Sequence, residues 1–383
     1  MTDSLQGVCA GMNMERLTRT LVELCEIPSP SKKEGAVAAY IRERIRTLGL
    51  TVQEDDAAEH LDGETGNLLV KAPGSVDPPL LLTAHMDTVL MPTGYPDSVN
   101  VMVTDGIVHT DGCSPLGADD KAGVAIALEL LHHKCERADL LRPLELVFTV
   151  QEEIGARGAN FFDTKSIRSE QGFVLDGDTP VGTVIVRSPH KFRYELLVHG
   201  RAAHAALEPE KGLNAIRVLS LVTVDLPHGR IDDQTVTNFG IVEGGSATNV
   251  VPDCARLVGE LRGHSEKRLR AVQKQIGARA ERTAATCGTS SEVAWTQLYP
   301  GYEVARDELC VRLFTAGCKK LAIEPDCLVT DGGGDANPLN GAGITCVPFG
   351  LGMQAIHSKD EHIRLTDLHK AFRLLLECVT IRL

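Results

Sequence analysis

Two apolar runs constrain this chain more than anything else in it. PPLLLTAH (78–85) and PLELVFTVQ (143–151) are almost continuously apolar, so neither reads as a strand with one wet face. Strands of this kind belong in a sheet covered by helices on both sides. GNLLVKA (66–72) and QGFVLDGD (171–178) read as further strands, and DDKAGVAIALELLHHK (119–134) as a helix between the first two runs. Residues 14–48 carry two helical patterns, LTRTLVELCEI and EGAVAAYIRERIRTLGL, separated by the turn-forming PSPS.

Near Ser188 the rhythm changes. Strand (KFRYELLVHG), helix (LNAIRVLSLVTV), two strands (TVTNFGIVEGG, DCARLVGELRG), helix (SEKRLRAVQKQIGARAERTAATC) and strand (SSEVAWTQLY) follow in turn. That β-α-β-β-α-β order fits a ferredoxin-like α+β module. After Pro300 the α/β pattern returns, with helices near 306–320 and 365–382. At 383 residues the chain exceeds one typical core, so two domains are expected. An α/β domain over 1–187 and 300–383 would receive an inserted module over 188–299.

Charge and composition exclude several functions. A formal net charge of −13 argues against a nucleic-acid partner, since neutralising phosphates takes clustered Lys and Arg. No apolar run reaches the length of a membrane span, and no membrane partner is expected. The opening MTDSLQGVCAGMNM lacks the basic region and apolar core of a secretory signal and reads as a frayed arm. Eleven cysteines without a CxxC pair read as reduced thiols of a cytoplasmic protein.

The chemistry sits at the strand ends. His85 and Asp87 form an HxD that a strand projects to one face, where Asp87 can take the second ring N–H of a metal-bound imidazole. Asp119 and Asp120 open a helix after a Gly-containing loop, and at least one suits helix capping. The other, Asp119, can bridge two cations. Adjacent Glu152 and Glu153 repel each other unless cations lie nearby; one can bind metal while the other faces the reacting water. Asp176 (with Asp178 as a rival) and His357 (with His362 as a rival) complete two imidazoles and a set of carboxylates for two divalent ions. Glu152 remains as a base. Ligands of open α/β sheets collect at this edge. Zn²⁺ suits these donors best, with Co²⁺ and Mn²⁺ as alternatives.

Taken in order, HMDTV, LGADDKAG, a T-x-x-EE-x-G stretch, VLDG and IHSKDEH resemble the M20 family of metallopeptidases, in its peptidase T-like, aminotripeptidase-like branch. The resemblance runs from about Met14 to the C-terminus. It implies a zinc-peptidase-like mixed-sheet catalytic domain with the inserted module as lid and dimerisation domain, hence a homodimer. It implies one ion on His85, Asp119 and Asp176, a second on Asp119, Glu153 and His357, and Glu152 as general base. In the inserted module it implies that His204 (GRAAHAA) and Asn249 (SATNVVP) approach the substrate. The loop DGGGDANPLNGAG should line the site through Gly333 and Gly334, although related peptidases often carry Ser or Thr before the Asp. Arg262, ending GELRG, is a candidate for a substrate carboxylate. The expected substrates are short peptides, with N-acyl amino acids or carboxypeptidase substrates as the alternative for the same centre. A non-catalytic metal- or peptide-binding protein is the reading from another class, and the intact Glu152 speaks against it.

Overall fold

A computed structural model describes residues 13–90, 97–137 and 142–382. The expected N-terminal arm therefore lies outside the described residues, apart from Asn13 and Met14, which cap and open the first helix. The chain divides into two compact units: Met1–Arg187 with Glu303–Val329 and Gly334–Leu383, and Ser188–Tyr302 with Thr330–Gly333. The second unit thus runs slightly beyond residue 299 and takes in Thr330 and the first three residues of the later Gly-rich loop.

The first unit is built on a mixed sheet, nine-stranded among the described residues. Its order is Val52–Glu54, Leu68–Ala72, Leu144–Thr149, Leu80–His85, Gln171–Gly177, Thr345–Gly350, Thr183–Ser188 and Tyr302–Glu303, with Asp326–Val329 paired to Thr183–Ser188. The four central strands, Leu144–Thr149 through Thr345–Gly350, run parallel, with pairs such as Leu82↔Leu146, Leu82↔Phe173 and Val347↔Phe173. Their flanks are antiparallel. All residues of Leu80–His85 and Leu144–Thr149 are buried, as their two-faced apolar character requires. Because the central strands share a direction, their C-terminal ends share an edge, and that edge carries the metal candidates.

Helices cover this sheet. Met14–Cys25 buries Leu17, Leu21 and Leu24 at helical spacing, and Asn13 caps it by accepting from Arg16 N at 2.8 Å. Ala118–Glu136 is buried along most of its length. It approaches the neighbouring strand so closely that a Cβ on Gly123 would lie 2.1 Å from the Leu175 carbonyl oxygen. Leu309–Lys320 and Leu365–Thr380 are the two late helices. The sequence pattern does not reveal the central strand Thr345–Gly350. Pro348 sits in its middle, where a ladder donor is expected, and it pairs with Val174. Nor does it reveal the small sheet of Val101–Thr104, Ile107–Thr110 and Ile363–Arg364.

The second unit is an antiparallel sheet in the order Gly229–Asp232, Thr235–Gly244, Cys254–Gly263, His190–His199, Ser291–Tyr299. With helices Ala215–Asp225 and Glu266–Thr286 it has the β-α-β-β-α-β order of a ferredoxin-like module plus one short edge strand. Val218, Leu219 and Val222 of one helix and Leu269, Val272 and Ile276 of the other pack with Tyr194, Leu196 and Leu257 of the sheet. Among the described residues Gly229–Asp232 pairs only with Thr235–Thr237, and no other described strand pairs with the rest of that edge. Ile241 and Val242 there are 52% and 62% exposed. Among the described residues no helix is long and apolar enough to cross a membrane.

Candidate metal centre

The first unit gathers His85, Asp119, Glu152, Glu153, Asp176 and His357 at the C-terminal edge of its parallel strands. His85 ends its strand, Asp176 is the penultimate residue of Gln171–Gly177, and Glu152 and Glu153 follow Leu144–Thr149 by a short turn. That turn passes through Gln151 in the left-handed region (φ +55°), so strand alternation does not set the directions of the two glutamates. His357 lies in the loop after Thr345–Gly350, also at positive φ (+60°).

Asp119 is the hub. Its Oδ1 lies 3.0 Å from His85 Nε2 and its Oδ2 lies 3.3 Å from His357 Nε2. His85 Nε2 is also 3.6 Å from Asp176 Oδ1, and His357 Nε2 is 2.9 Å from Glu153 Oε2. His85, Asp119 and Glu153 offer donor atoms within 4.8 Å of one another, as do His85, Asp120 and Asp176. Asp120, however, already spends both oxygens on backbone. It accepts from His85 N at 3.0 Å and from Gly123 N at 3.2 Å, and so caps the helix proper. The backbone of Asp119 and Asp120 is itself non-helical, which separates the capping carboxylate from the hub. Asp176 meets His85, whereas its rival Asp178 is exposed. His362 turns back on its own loop, its Nδ1 2.8 Å from Asp360 O.

A layer of buried carboxylates fixes the backbone beneath these donors. Asp87 accepts from Glu152 N (2.9 Å), Glu153 N (3.2 Å) and Ser31 Oγ (2.6 Å). His85 Nδ1 lies nearer the Asp87 carbonyl oxygen (2.9 Å) than its carboxylate (3.4 Å). Asp87 thus orients the glutamate turn as well as the imidazole. Glu34 accepts from Gln151 N at 3.1 Å, and Glu361 accepts from Gly117 N at 2.8 Å and Asp119 N at 3.0 Å. Sequence reasoning missed Glu34 and Glu361, because an isolated Glu carries no sign that its partners are amides far along the chain. For Glu361 its place within IHSKDEH was the one available signal.

So much carboxylate in a small buried volume demands positive charge. Burial pushes the carboxyls of Glu152, Asp176 and Glu153 up, Glu152 and Asp176 well above the usual range. Burial acts on Asp119 the same way, but His357 and His85 outweigh it and hold this carboxylate low. Asp119 and Glu153 push His357 up to about 11. His85 rises well above 6.5 because Asp176, Asp119 and Asp87 outweigh its burial. The imidazoles supply as protons the charge that divalent cations would supply, and imidazole with carboxylate is a donor set such ions fit. Gly334 abuts the cluster: a Cβ there would lie 2.8 Å from Glu152 Oε1 and 3.5 Å from Asp176 Oδ2.

The second unit holds the remaining candidates. His204 is exposed, and its Nδ1 accepts from Ala206 N and Leu207 N, both at 3.2 Å, which leaves Nε2 to carry the proton of the neutral ring. Asn249 lies alongside, its carbonyl oxygen accepting from Ala205 N at 3.0 Å. Arg262 is committed within its own strand, its Nε and Nη2 bonding the two oxygens of Glu260 at 2.9 and 3.3 Å. Gly333 packs on Tyr299, where a Cβ would come 2.7 Å from the ring.

A helix-covered mixed sheet with this cluster at its strand ends, interrupted by a β-α-β-β-α-β module, defines a metal-dependent hydrolase. The model of peptidase family M20/M25/M40 matches residues 81–380, and the chain belongs to that family. It is a metallopeptidase of the peptidase T-like branch. It is 33% identical to YqjE of Bacillus subtilis over 369 residues, 96% of this chain and 98% of that one. It is similar to the crystal structure of a tripeptidase from Staphylococcus aureus (33% identity, TM-score 0.88, covering 97% and 99% of the two chains). It is also similar to that of aminopeptidase PepT from Bacillus cereus (31% identity, TM-score 0.85, 96% and 98%).

Proposed function

We propose that this chain is a dinuclear aminopeptidase that cleaves short peptides, tripeptides foremost. The observation that carries the proposal is Asp119, which presents one oxygen to His85 and the other to His357. His85, Asp119 and Asp176 would hold one ion, and Asp119, Glu153 and His357 the other, with Zn²⁺ the best match to the donors. The tripeptidase and aminopeptidase among the similar structures support the substrate class.

When bound, two divalent ions supply Lewis acidity toward the scissile carbonyl and acidify the attacking water. Glu152 would take the proton from that water and return it to the leaving amine. Asp87 keeps Glu152 and Glu153 facing their separate tasks by binding both of their amides. His204 Nε2–H would donate to the developing oxyanion, Asn249 would bind substrate backbone, and Gly333 and Gly334 would let the peptide approach closely. Arg262, bound to Glu260, would have to exchange that partner to bind a substrate carboxylate.

Exposed Ile241 and Val242 on a partly uncovered edge strand support a homodimer through the second unit. A cytoplasmic location is proposed on the cysteine pattern.

The test is metal content per chain together with amino-acid release from a panel of dipeptides, tripeptides, blocked tripeptides and N-acyl amino acids. About two divalent ions, chelator-sensitive cleavage and a need for a free amino terminus are expected. Cleavage of only N-acyl substrates would replace the peptidase with an amidohydrolase. Ion binding without any cleavage would make the chain a binding protein.

A further inference from the structure

Glu361 is not among the six residues gathered at the centre, yet it joins two of them. Its side chain is only 2% exposed, and each oxygen accepts one backbone N–H, from Gly117 and from Asp119. It stands four residues beyond His357 in a loop that closes on itself. Gln354 and His362 exchange backbone hydrogen bonds at 3.0 and 3.1 Å, Ser358 Oγ donates to Ala355 O at 2.7 Å, and Glu361 N donates to Ser358 O at 3.3 Å. His357 sits within this closed loop, and Glu361 fastens the loop to the peptide that carries Asp119. Glu361 thus links the loop of His357, whose Nε2 lies 3.3 Å from Asp119 Oδ2, to the backbone of Asp119 itself.

The other half of the cluster does not use this loop. His85 is fixed by its strand and by the bond from its amide to Asp120, and Asp176 by the central strand Gln171–Gly177. Asp119 serves both halves, but only the His357 half has two of its three donors joined through Glu361.

We infer that Glu361 is a positioning residue for the ion on Asp119, Glu153 and His357, and that it acts far less on the ion on His85, Asp119 and Asp176. The inference rests on the ligand assignment proposed above. Groups that orient metal ligands typically contribute 10–100-fold to affinity. Glu361→Gln keeps the shape but turns an NH₂ toward one of the two amides, which then loses its acceptor.

Chelator-treated wild type and E361Q would be titrated with Zn²⁺ against a chromophoric competitor. Wild type is expected to take two ions. E361Q should keep one at wild-type affinity and bind the other roughly 10–100-fold more weakly. Equal weakening at both steps, or none at either, would overturn the inference. Fewer than two ions on wild type would instead remove the dinuclear assignment on which it rests. Thermal unfolding of the ion-free proteins tests for a general folding defect. Should E361Q not fold, hydrogen exchange of wild type decides. The Gly117 and Asp119 amides should be protected with and without Zn²⁺, and fast exchange in the ion-free protein would refute the clamp.

Discussion

At the scale of single residues, what distinguishes this site is which acidic groups bind backbone and which face imidazoles. Asp87, Asp120 and Glu361 have their oxygens on N–H groups, whereas Asp119, Glu153 and Asp176 face imidazoles. Glu152 belongs with neither group, and its role is testable by exchange for an amide. Glu152→Gln should retain both ions, measured by elemental analysis, while kcat falls roughly 10²–10⁴-fold, the usual worth of a positioned acid-base group. Near-normal turnover would rule it out as the base. His204→Ala should also keep its ions and lose about 3 kcal/mol of transition-state stabilisation, mainly in kcat, the scale of one oxyanion donor. Loss of metal from that variant would give His204 a different role. The donor residues were legible in the sequence because each closes a strand or lies in a Gly-rich turn. The buried carboxylates beneath were not, since Glu34 and Glu361 bind amides at sequence separations of 117 and 242.

At the scale of elements, the close approach of helix Ala118–Glu136 to strand Gln171–Gly177 holds Asp120 and Asp176 in one small volume. Gly123 makes that approach possible, for a Cβ there would meet both the Leu175 carbonyl oxygen and, at 2.4 Å, Asp120 Oδ1. Gly123→Ala should therefore destabilise the protein by ~1–3 kcal/mol, the range for overpacking a filled interior. It should also weaken metal binding, because Asp120 carries the His85 amide. Thermal unfolding and zinc titration of the variant would show both effects, and an unchanged melting temperature would contradict the packing argument. The helix and the strands Leu68–Ala72, Leu80–His85, Leu144–Thr149 and Gln171–Gly177 follow from the sequence pattern, whereas the other five described strands of this sheet do not. Thr345–Gly350 does not, because a central strand with proline at its middle defies local propensity and is specified by the strands on either side.

At the scale of the whole molecule, the charge stored in the cluster links metal binding to pH. In the ion-free protein His357 and His85 are raised, as are the carboxyls of Glu152, Asp176 and Glu153. For these groups the folded chain binds more protons than the unfolded one, so their effect on stability declines as pH rises. The His357 contribution is complete below about 6.5 and lost as pH climbs toward about 11. Ion-free protein should thus melt at a lower temperature at pH 9 than at pH 6.5, while affinity for Zn²⁺ increases over the same range because fewer protons must be released. Parallel melts and titrations check both slopes, and a zinc affinity independent of pH would show that these groups are not the ligands. Association is testable at this scale too. Val242→Glu places a charge on the exposed stretch of the edge strand and should shift a homodimer to monomer by light scattering, with the melting temperature of the second unit little changed.

The sequence by itself determined the α/β class, the inserted β-α-β-β-α-β module, and the residue types of a two-ion hydrolase at the strand ends. These are written in local periodicity and in motifs a few residues long. The family resemblance already singled out Asp119 and Asp176, and only the tertiary structure decided that Asp120 caps the helix and that Arg262 is held by Glu260. It alone showed that Glu361 ties the His357 loop to Asp119. Those outcomes depend on which oxygen meets which N–H across the sheet edge. Such pairings are fixed by packing between distant segments and leave no periodic trace in the chain.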